Sequence, residues 1–268
     1  MDTTVFNSSE SQLKLIVKDV DPTFMNSLRR TIMAEVQIPA VEKVYIAENT
    51  SVLYDDMIAH RLGLIPLKGG EILLPAEECD CGGKGCPKCE SVLTLDVEAQ
   101  EDSSMVYSGR LKAEGSVFPA NNNILIVELN AGQKITLEAH ARLGRGQEHA
   151  KWQPVSAAAV QFEPVIAIDQ KKCNQCGDCV KECPKKVLAV EGKKIVITSL
   201  WDCSMCKVCE EICPSSSIKV SYNDKNSLLY IETTGSMTND ALVIAACDRI
   251  LHKAADLKKS FKELPEAS

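Results

Sequence analysis

The chain has 268 residues, 45% of them hydrophobic and only 4% aromatic, with a formal net charge of −7. An acidic chain is not built to grip a phosphate backbone over a broad face, and so few rings leave no stacking platform for bases, so direct sequence-specific nucleic-acid binding is not expected. The length allows several small domains with cores of Leu, Ile, Val and Ala. The longest apolar run, Ala241 to Cys247, is far too short to cross a bilayer, and no charged segment followed by an apolar one opens the chain, so no membrane association and a cytoplasmic location are expected. In that reducing setting thirteen cysteines are more often metal ligands than disulfides.

Taken in chain order, Leu13 to Val20 alternates imperfectly and predicts a strand. Asp21-Pro22 then supplies an N-cap and the ring-fixed residue favoured at the first helical position. The helix that follows carries Leu28, Ile32 and Val36 on one stripe, widened by Met25 and Met33, with Arg29 and Arg30 off its centre, and Pro39 is expected to end it. From Val41 to Asp169 the apolar runs are short, at Val41 to Ala47, Ser91 to Val97, Ile124 to Leu129 and Ile135 to Ala141. Breaks rich in Gly, Asn and Pro separate them, which predicts a mostly β region with a helical turn or two at Asp55 to Leu62.

Within that region the string "CDCGGKGCPKC" offers Cys79, Cys81, Cys86 and Cys89 on a glycine-rich loop. The C-x-C and C-x2-C pairs suit a compact tetrahedral zinc site that adds folding energy; free thiols, or disulfides formed on isolation, are the alternatives.

A second cysteine block repeats itself. Cys173, Cys176, Cys179 and Cys183-Pro184 return thirty positions later as Cys203, Cys206, Cys209 and Cys213-Pro214. A cubane [4Fe-4S] cluster needs four thiolates, and C-x2-C-x2-C supplies three from one short loop. In two-cluster ferredoxins the fourth cysteine of each run ligates the other run's cluster. One cluster is therefore expected on Cys173, Cys176, Cys179 and Cys213, and a second on Cys183, Cys203, Cys206 and Cys209. Zinc ligation or buried thiols are the weaker alternatives. Val187 to Val190 with Ile195 to Thr198 predicts a hairpin between the halves. The block resembles a bacterial-type ferredoxin domain, embedded in a much larger chain.

Beyond it, Leu228 to Thr233 predicts a strand, Gly235 a turn, and Thr238 or Asn239 the cap of a helix reaching about Lys259. Its stripe is Leu242, Ala245, Ala246, Ile250, Ala254 and Leu257, which packs on its own domain or in part faces another chain; periodicity does not choose between these. Cys247 is expected to be a buried hydrophobe.

The segment "NSLRRTIMAEVQIPAVEKVYIAENTSVLYDDMIAHRLGLIPL" from Asn26 to Leu67 resembles the α-like assembly subunits of cellular RNA polymerases, the family of the archaeal D and bacterial α subunits. The stretch Val117 to Val155, "YIETTGSM" from Tyr230, and the closing helix agree with it, so the likeness covers nearly the whole chain. The resemblance implies an α+β chain in three parts. These are a discontinuous dimerisation domain (1–38 and 222–268), a mainly β insert domain (39–167) and a ferredoxin-like domain with two [4Fe-4S] clusters (168–221). It implies pairing with the small α-like subunit L and a platform for the large catalytic subunits. Some relatives carry zinc in the same insert. Arg29, Arg30, His60, Arg61, His149 and Lys151 match family motifs, where the analogy suggests contacts to the large subunits; a solvated helix face and local packing are the alternative.

No Ser/His/Asp order, phosphate-cradling loop, HExxH or magnesium-binding acidic triad appears, and His60, His140, His149 and His252 are scattered. The chain is accordingly expected to hold no catalytic residue and to share in nucleotidyl transfer only through the assembled polymerase, its clusters stabilising their domain or reporting redox or iron state. The rival expectation is an electron-transfer subunit of an oxidoreductase.

Overall fold

A computed structural model describes residues 1–263. Strands β1 (Asp2–Ser8) and β2 (Gln12–Lys18) lead into α1 (Pro22–Ala34), β3 (Gln37–Asn49) and α2 (Asp55–Gly63). Next come β4 (Leu67–Lys68), β5 (Glu90–Glu98), β6 (Ser104–Tyr107), β7 (Lys112–Ala113), β8 (Phe118–Pro119), β9 (Leu125–Leu129), β10 (Lys134–Arg145) and β11 (Val155–Ile168). The cysteine block contributes α3 (Asp178–Lys181), β12 (Leu188–Glu191), β13 (Lys194–Ile197) and α4 (Val208–Glu211), and the chain closes with β14 (Ile218–Thr233) and α5 (Asn239–Lys262). Mixed helix and sheet fit the expected α+β class in outline. The chain forms two compact units.

One unit takes in 9–13, 27–158 and 231 onward. Its centre is the antiparallel sheet β3-β10-β5-β7. The period of two along β10 sends Ile135, Leu137, Ala139 and Ala141 inward, where they join Leu93 and Leu95 of β5 and Ile58 and Leu62 of α2 in a dry core. The pairs β4-β8 and β6-β9 border it. Pro39, expected to stop the first helix, lies inside β3 opposite Leu143, and α1 already ends at Ala34. Proline is tolerated there because β3 is the sheet's edge strand, with one side of its backbone unpaired. In α5 the Thr238 hydroxyl accepts from the Ala241 amide, and Leu242 and Ala246 are buried. From Leu251 to Lys262 every side chain is exposed.

The other unit takes in 1–8, 14–26 and 159–230. Its sheet has the order β1-β2-β14-β11. Asp21 caps α1 by accepting from the Thr23 amide at 2.8 Å. The strand expected at Leu228 to Thr233 is sixteen residues long, because its earlier part continues the ladder with β11, flanked by the Asp169 amide donating to the Ser217 carbonyl at one end and the Thr234 amide to the Pro154 carbonyl at the other. The hairpin β12-β13 forms as expected, Leu188 opposite Ile197 and Glu191 opposite Lys194. No helix among the described residues is long and apolar enough to cross a membrane.

Candidate metal centres

The first centre hangs on the loop before β5. Two reversals fold it: the Gly82 amide donates to the Cys79 carbonyl, and the Cys89 and Glu90 amides both donate to the Cys86 carbonyl. Gly85 sits at φ +93°, and a Cβ there would meet the Glu90 carboxylate at 2.9 Å. Folded this way, the sulfurs of Cys79, Cys81, Cys86 and Cys89 all lie within 4.8 Å of one another. Cys79–Cys86 and Cys81–Cys89 are 3.5 Å apart and Cys86–Cys89 3.8 Å. A zinc–thiolate tetrahedron with bonds of about 2.3 Å has sulfur–sulfur edges of about 3.8 Å, so the donor set fits one ion. Hydrogen bonds from Cys79 and Cys89 lower the Cys81 thiol to about 6, while burial pushes Cys89 up to about 12. One sulfur thus readily carries charge while those of Cys79 and Cys89 retain protons that a bound cation would displace. Glu90, next in chain, holds His140 Nδ1 at 2.6 Å and so ties the loop to β10.

Among the described residues this is the single group of three or more His, Cys, Asp or Glu whose ligand atoms lie close enough to share one ion. The eight cysteines of the duplicated block form no such close group. Their two runs fold alike. Left-handed backbone recurs at the matching positions Gln175 and Met205 (φ +61° and +53°), Gly177 and Lys207 (+79° and +63°), and Lys186 and Ser216 (+52° and +49°). Non-glycine residues seldom accept that conformation singly, and here it returns at the same places in both halves. Cys179 and Cys209 are buried, Cys176 and Cys206 exposed, and Cys183 and Cys213 half-buried.

The runs also interleave. The Cys179 thiol is pushed up first by burial and then by Cys176, Cys213 and Cys173 around it. Burial raises Cys209 to about 11, with Cys203, Cys183 and Cys206 adding to it. Cys179 and Cys209 therefore each sense two of their own run and the last of the other. Cys183, Cys203, Cys206 and Cys209 also line one small cavity with Ile166, Val187 and Val220. β11 braces this half: Gln161 Nε2 donates to the carbonyls of Trp201 at 3.2 Å and Cys203 at 3.0 Å. Around Cys213 the Ser215 and Ser217 hydroxyls lower the thiol to about 7. Neither Gln161 nor the two serines could be singled out from sequence, since only the folded loop aims them at the site.

The basic residues singled out from sequence scatter. Arg61 donates to the Ile126 carbonyl at 2.8 Å, His149 Nδ1 accepts from the Lys151 amide, and Lys151 Nζ reaches Glu42 Oε2 and the Val41 carbonyl, each at 3.0 Å. These three serve local structure. Arg29 Nη1 touches Met33 Sδ at 3.5 Å, whereas Arg30 and His60 are exposed. Cys247, expected to be buried, is half-buried, because Ala246 takes the inward position on α5.

Two family models match the chain. The RNA polymerase Rpb3/RpoA insert domain covers residues 44–170, and a 4Fe-4S dicluster domain covers 165–214. A protein from Methanosarcina acetivorans named DNA-directed RNA polymerase subunit Rpo3 is 40% identical over 98% of this chain and 99% of its own length. The chain belongs to the Rpo3 family of RNA polymerase subunits. The Rpo3 of Archaeoglobus fulgidus is 39% identical over 97% of both chains, and that of Methanothermobacter thermautotrophicus 38% identical over 95% and 96%. Rpo3-family membership makes the chain part of a nucleotidyltransferase complex, DNA-directed RNA polymerase, and puts its 4Fe-4S dicluster domain inside a polymerase subunit. These relatives do not favour the electron-transfer alternative.

Proposed function

We propose that this chain is an assembly subunit of DNA-directed RNA polymerase that pairs with the small α-like subunit L and carries the large catalytic subunits on the resulting platform. The observation that carries the pairing is the outer half of α5. Leu251, Leu257 and Phe261 are 66%, 61% and 68% exposed, Leu257 and Phe261 one helical turn apart. A helix with so much unpartnered apolar surface gains by covering it with another chain. Of the two readings of this helix, the partner-facing one takes its outer half, while Leu242 and Ala246 serve the fold. Nucleotide addition then belongs to the complex, in the cytoplasm, with no catalytic residue contributed here.

The division into a dimerisation domain (1–38 and 222–268), an insert domain (39–167) and a ferredoxin-like domain (168–221) is part of this proposal; the two compact units cut across it because β2, β11 and β14 each run on through a unit boundary. Two [4Fe-4S] clusters sit on Cys173, Cys176, Cys179 and Cys213 and on Cys183, Cys203, Cys206 and Cys209, and one zinc on Cys79, Cys81, Cys86 and Cys89. The interleaved runs support the cluster assignment and the sulfur distances the zinc. Bound there, the clusters supply cross-links that hold the domain and make assembly responsive to oxygen or iron supply. Anaerobic isolation of the tagged chain tests the whole reading: subunit L and the large subunits should co-purify, with about eight irons and one zinc per chain. Recovery of a redox enzyme without polymerase subunits would overturn it.

A further inference from the structure

The two halves of the duplicated block share a backbone but not their donors to sulfur. The Lys186 amide donates to the Cys183 carbonyl at 3.1 Å and the Ser216 amide to the Cys213 carbonyl at 3.0 Å, so the turns after the two remote cysteines are alike. Three side chains on these turns differ in kind: Lys185, Lys186 and Val187 in the first half correspond to Ser215, Ser216 and Ser217 in the second. Ser215 Oγ lies 3.5 Å from Cys213 Sγ, and Ser217 places its Oγ at 3.3 Å and its amide at 3.4 Å from the same sulfur. Among the described residues no hydrogen bond reaches Cys183 Sγ. Its quartet has one donor of this kind, the Met205 amide at 3.4 Å from Cys203 Sγ.

The contrast between Val187 and Ser217 is the informative one. Both are buried, at 2% and 4% exposure, at matching positions. A valine fills such a place at no polar cost, whereas a buried hydroxyl must find a partner. The hydrogen-bond partner of the Ser217 hydroxyl is the sulfur of Cys213, which as a thiolate can only accept.

We propose that Ser215 and Ser217 are positioning residues that set the two iron–sulfur sites apart, making the site of Cys173, Cys176, Cys179 and Cys213 the easier of the two to reduce. Donors on a ligating sulfur draw off electron density, and this stabilises the more negative, reduced state more than the oxidised one. A site with three donors on one ligand is therefore reduced first, and the site with an apolar valine beside its remote cysteine second. This inference rests on the ligand sets proposed above.

The test is a reductive titration of the full-length chain, purified anaerobically with its iron and followed by paramagnetic resonance, with total iron measured on each sample. The wild-type chain should show two one-electron steps. Ser217→Val installs the residue that the other half already uses and should lower the upper step by about tenfold in its reduction equilibrium, or about 59 mV, without moving the lower one. Ser217→Thr, which keeps the hydroxyl, should keep the step in place. Val187→Ser, the reciprocal change, should raise the lower step. If Ser217→Val fails to retain eight irons, Ser215→Ala carries the same expectation with the other hydroxyl. Steps that stay put in Ser217→Val at full iron content, or that move together, overturn the inference alone. A wild-type chain with four irons overturns the two-cluster reading and the inference with it.

Discussion

At the scale of single residues, close approach limits what the end of β10 accepts. Gly144 on β10 faces the Trp152 ring so closely that a Cβ would stand 2.4 Å from it. The ring cannot easily retreat. It is buried, its Nε1 donates to the Arg142 carbonyl at 3.3 Å, and Lys151 Nζ lies 4.3 Å from its centroid while bonded to Glu42. Gly144→Ala should lower stability by about 1 to 3 kcal/mol, the usual cost of overpacking, read as a drop in urea midpoint; an unchanged midpoint would mean that the ring moves aside freely. At the loop proposed to hold zinc the expected readout is metal content. Cys81→Ser removes the sulfur that most readily carries charge, so bound zinc should fall from one per chain to near zero while the iron stays. Retention of a full zinc by that variant would show that another residue completes the site.

At the scale of elements, α5 has two halves with different obligations. Near its start Leu242 and Ala246 are buried, and Arg249 of the next turn joins Lys253 in pairing with Glu35, so substitutions there strain the unit itself. Beyond Leu251 every described side chain is exposed. Leu251→Asp combined with Phe261→Asp should leave the thermal midpoint of the isolated chain nearly unchanged, since exposed positions usually move stability by no more than about 0.5 kcal/mol, and should abolish capture of subunit L. Undiminished capture would move the pairing surface elsewhere. Much at this scale was legible in sequence. The cap at Asp21, the helix Asp55–Gly63, the cluster hairpin and the strands of the insert all follow from local patterns of period two or from capping chemistry. What could not be read depends on neighbours distant in the chain. The run from Lys219 to Ser227 becomes strand because it continues the ladder with β11, and Pro39 is accommodated because β3 is an edge. The cysteine spacings were legible because they recur at fixed short intervals in the chain itself. The donors from Ser217 and Gln161 were not, because a serine or glutamine carries no spacing signature until the backbone turns it toward a sulfur or a carbonyl.

At the scale of the whole chain, the two cores depend on different physics. The insert core has nineteen buried residues, all aliphatic, and holds by apolar burial. The core around the duplicated block has nine, of which Cys179, Cys203 and Cys209 are three, so a third of its interior consists of groups proposed to bind metal. A core of six aliphatic side chains is too small to order some fifty residues unaided, and metal ligation must supply much of the difference. Loss of iron should therefore act locally. Air oxidation with a chelator should bleach the cluster absorbance and open the segment from Asp169 to Ser217, whose exposed lysines, among them Lys171, Lys172, Lys185, Lys186, Lys193 and Lys194, are ready trypsin sites. Limited digestion read by mass spectrometry should show new cuts confined to that segment, with the region from Gln37 to Ala158 surviving as a resistant fragment that still binds zinc. Cuts spread equally through β5 and β10 after iron loss would mean that the cores are energetically one, and that the metal stabilises the entire chain rather than the lobe that binds it.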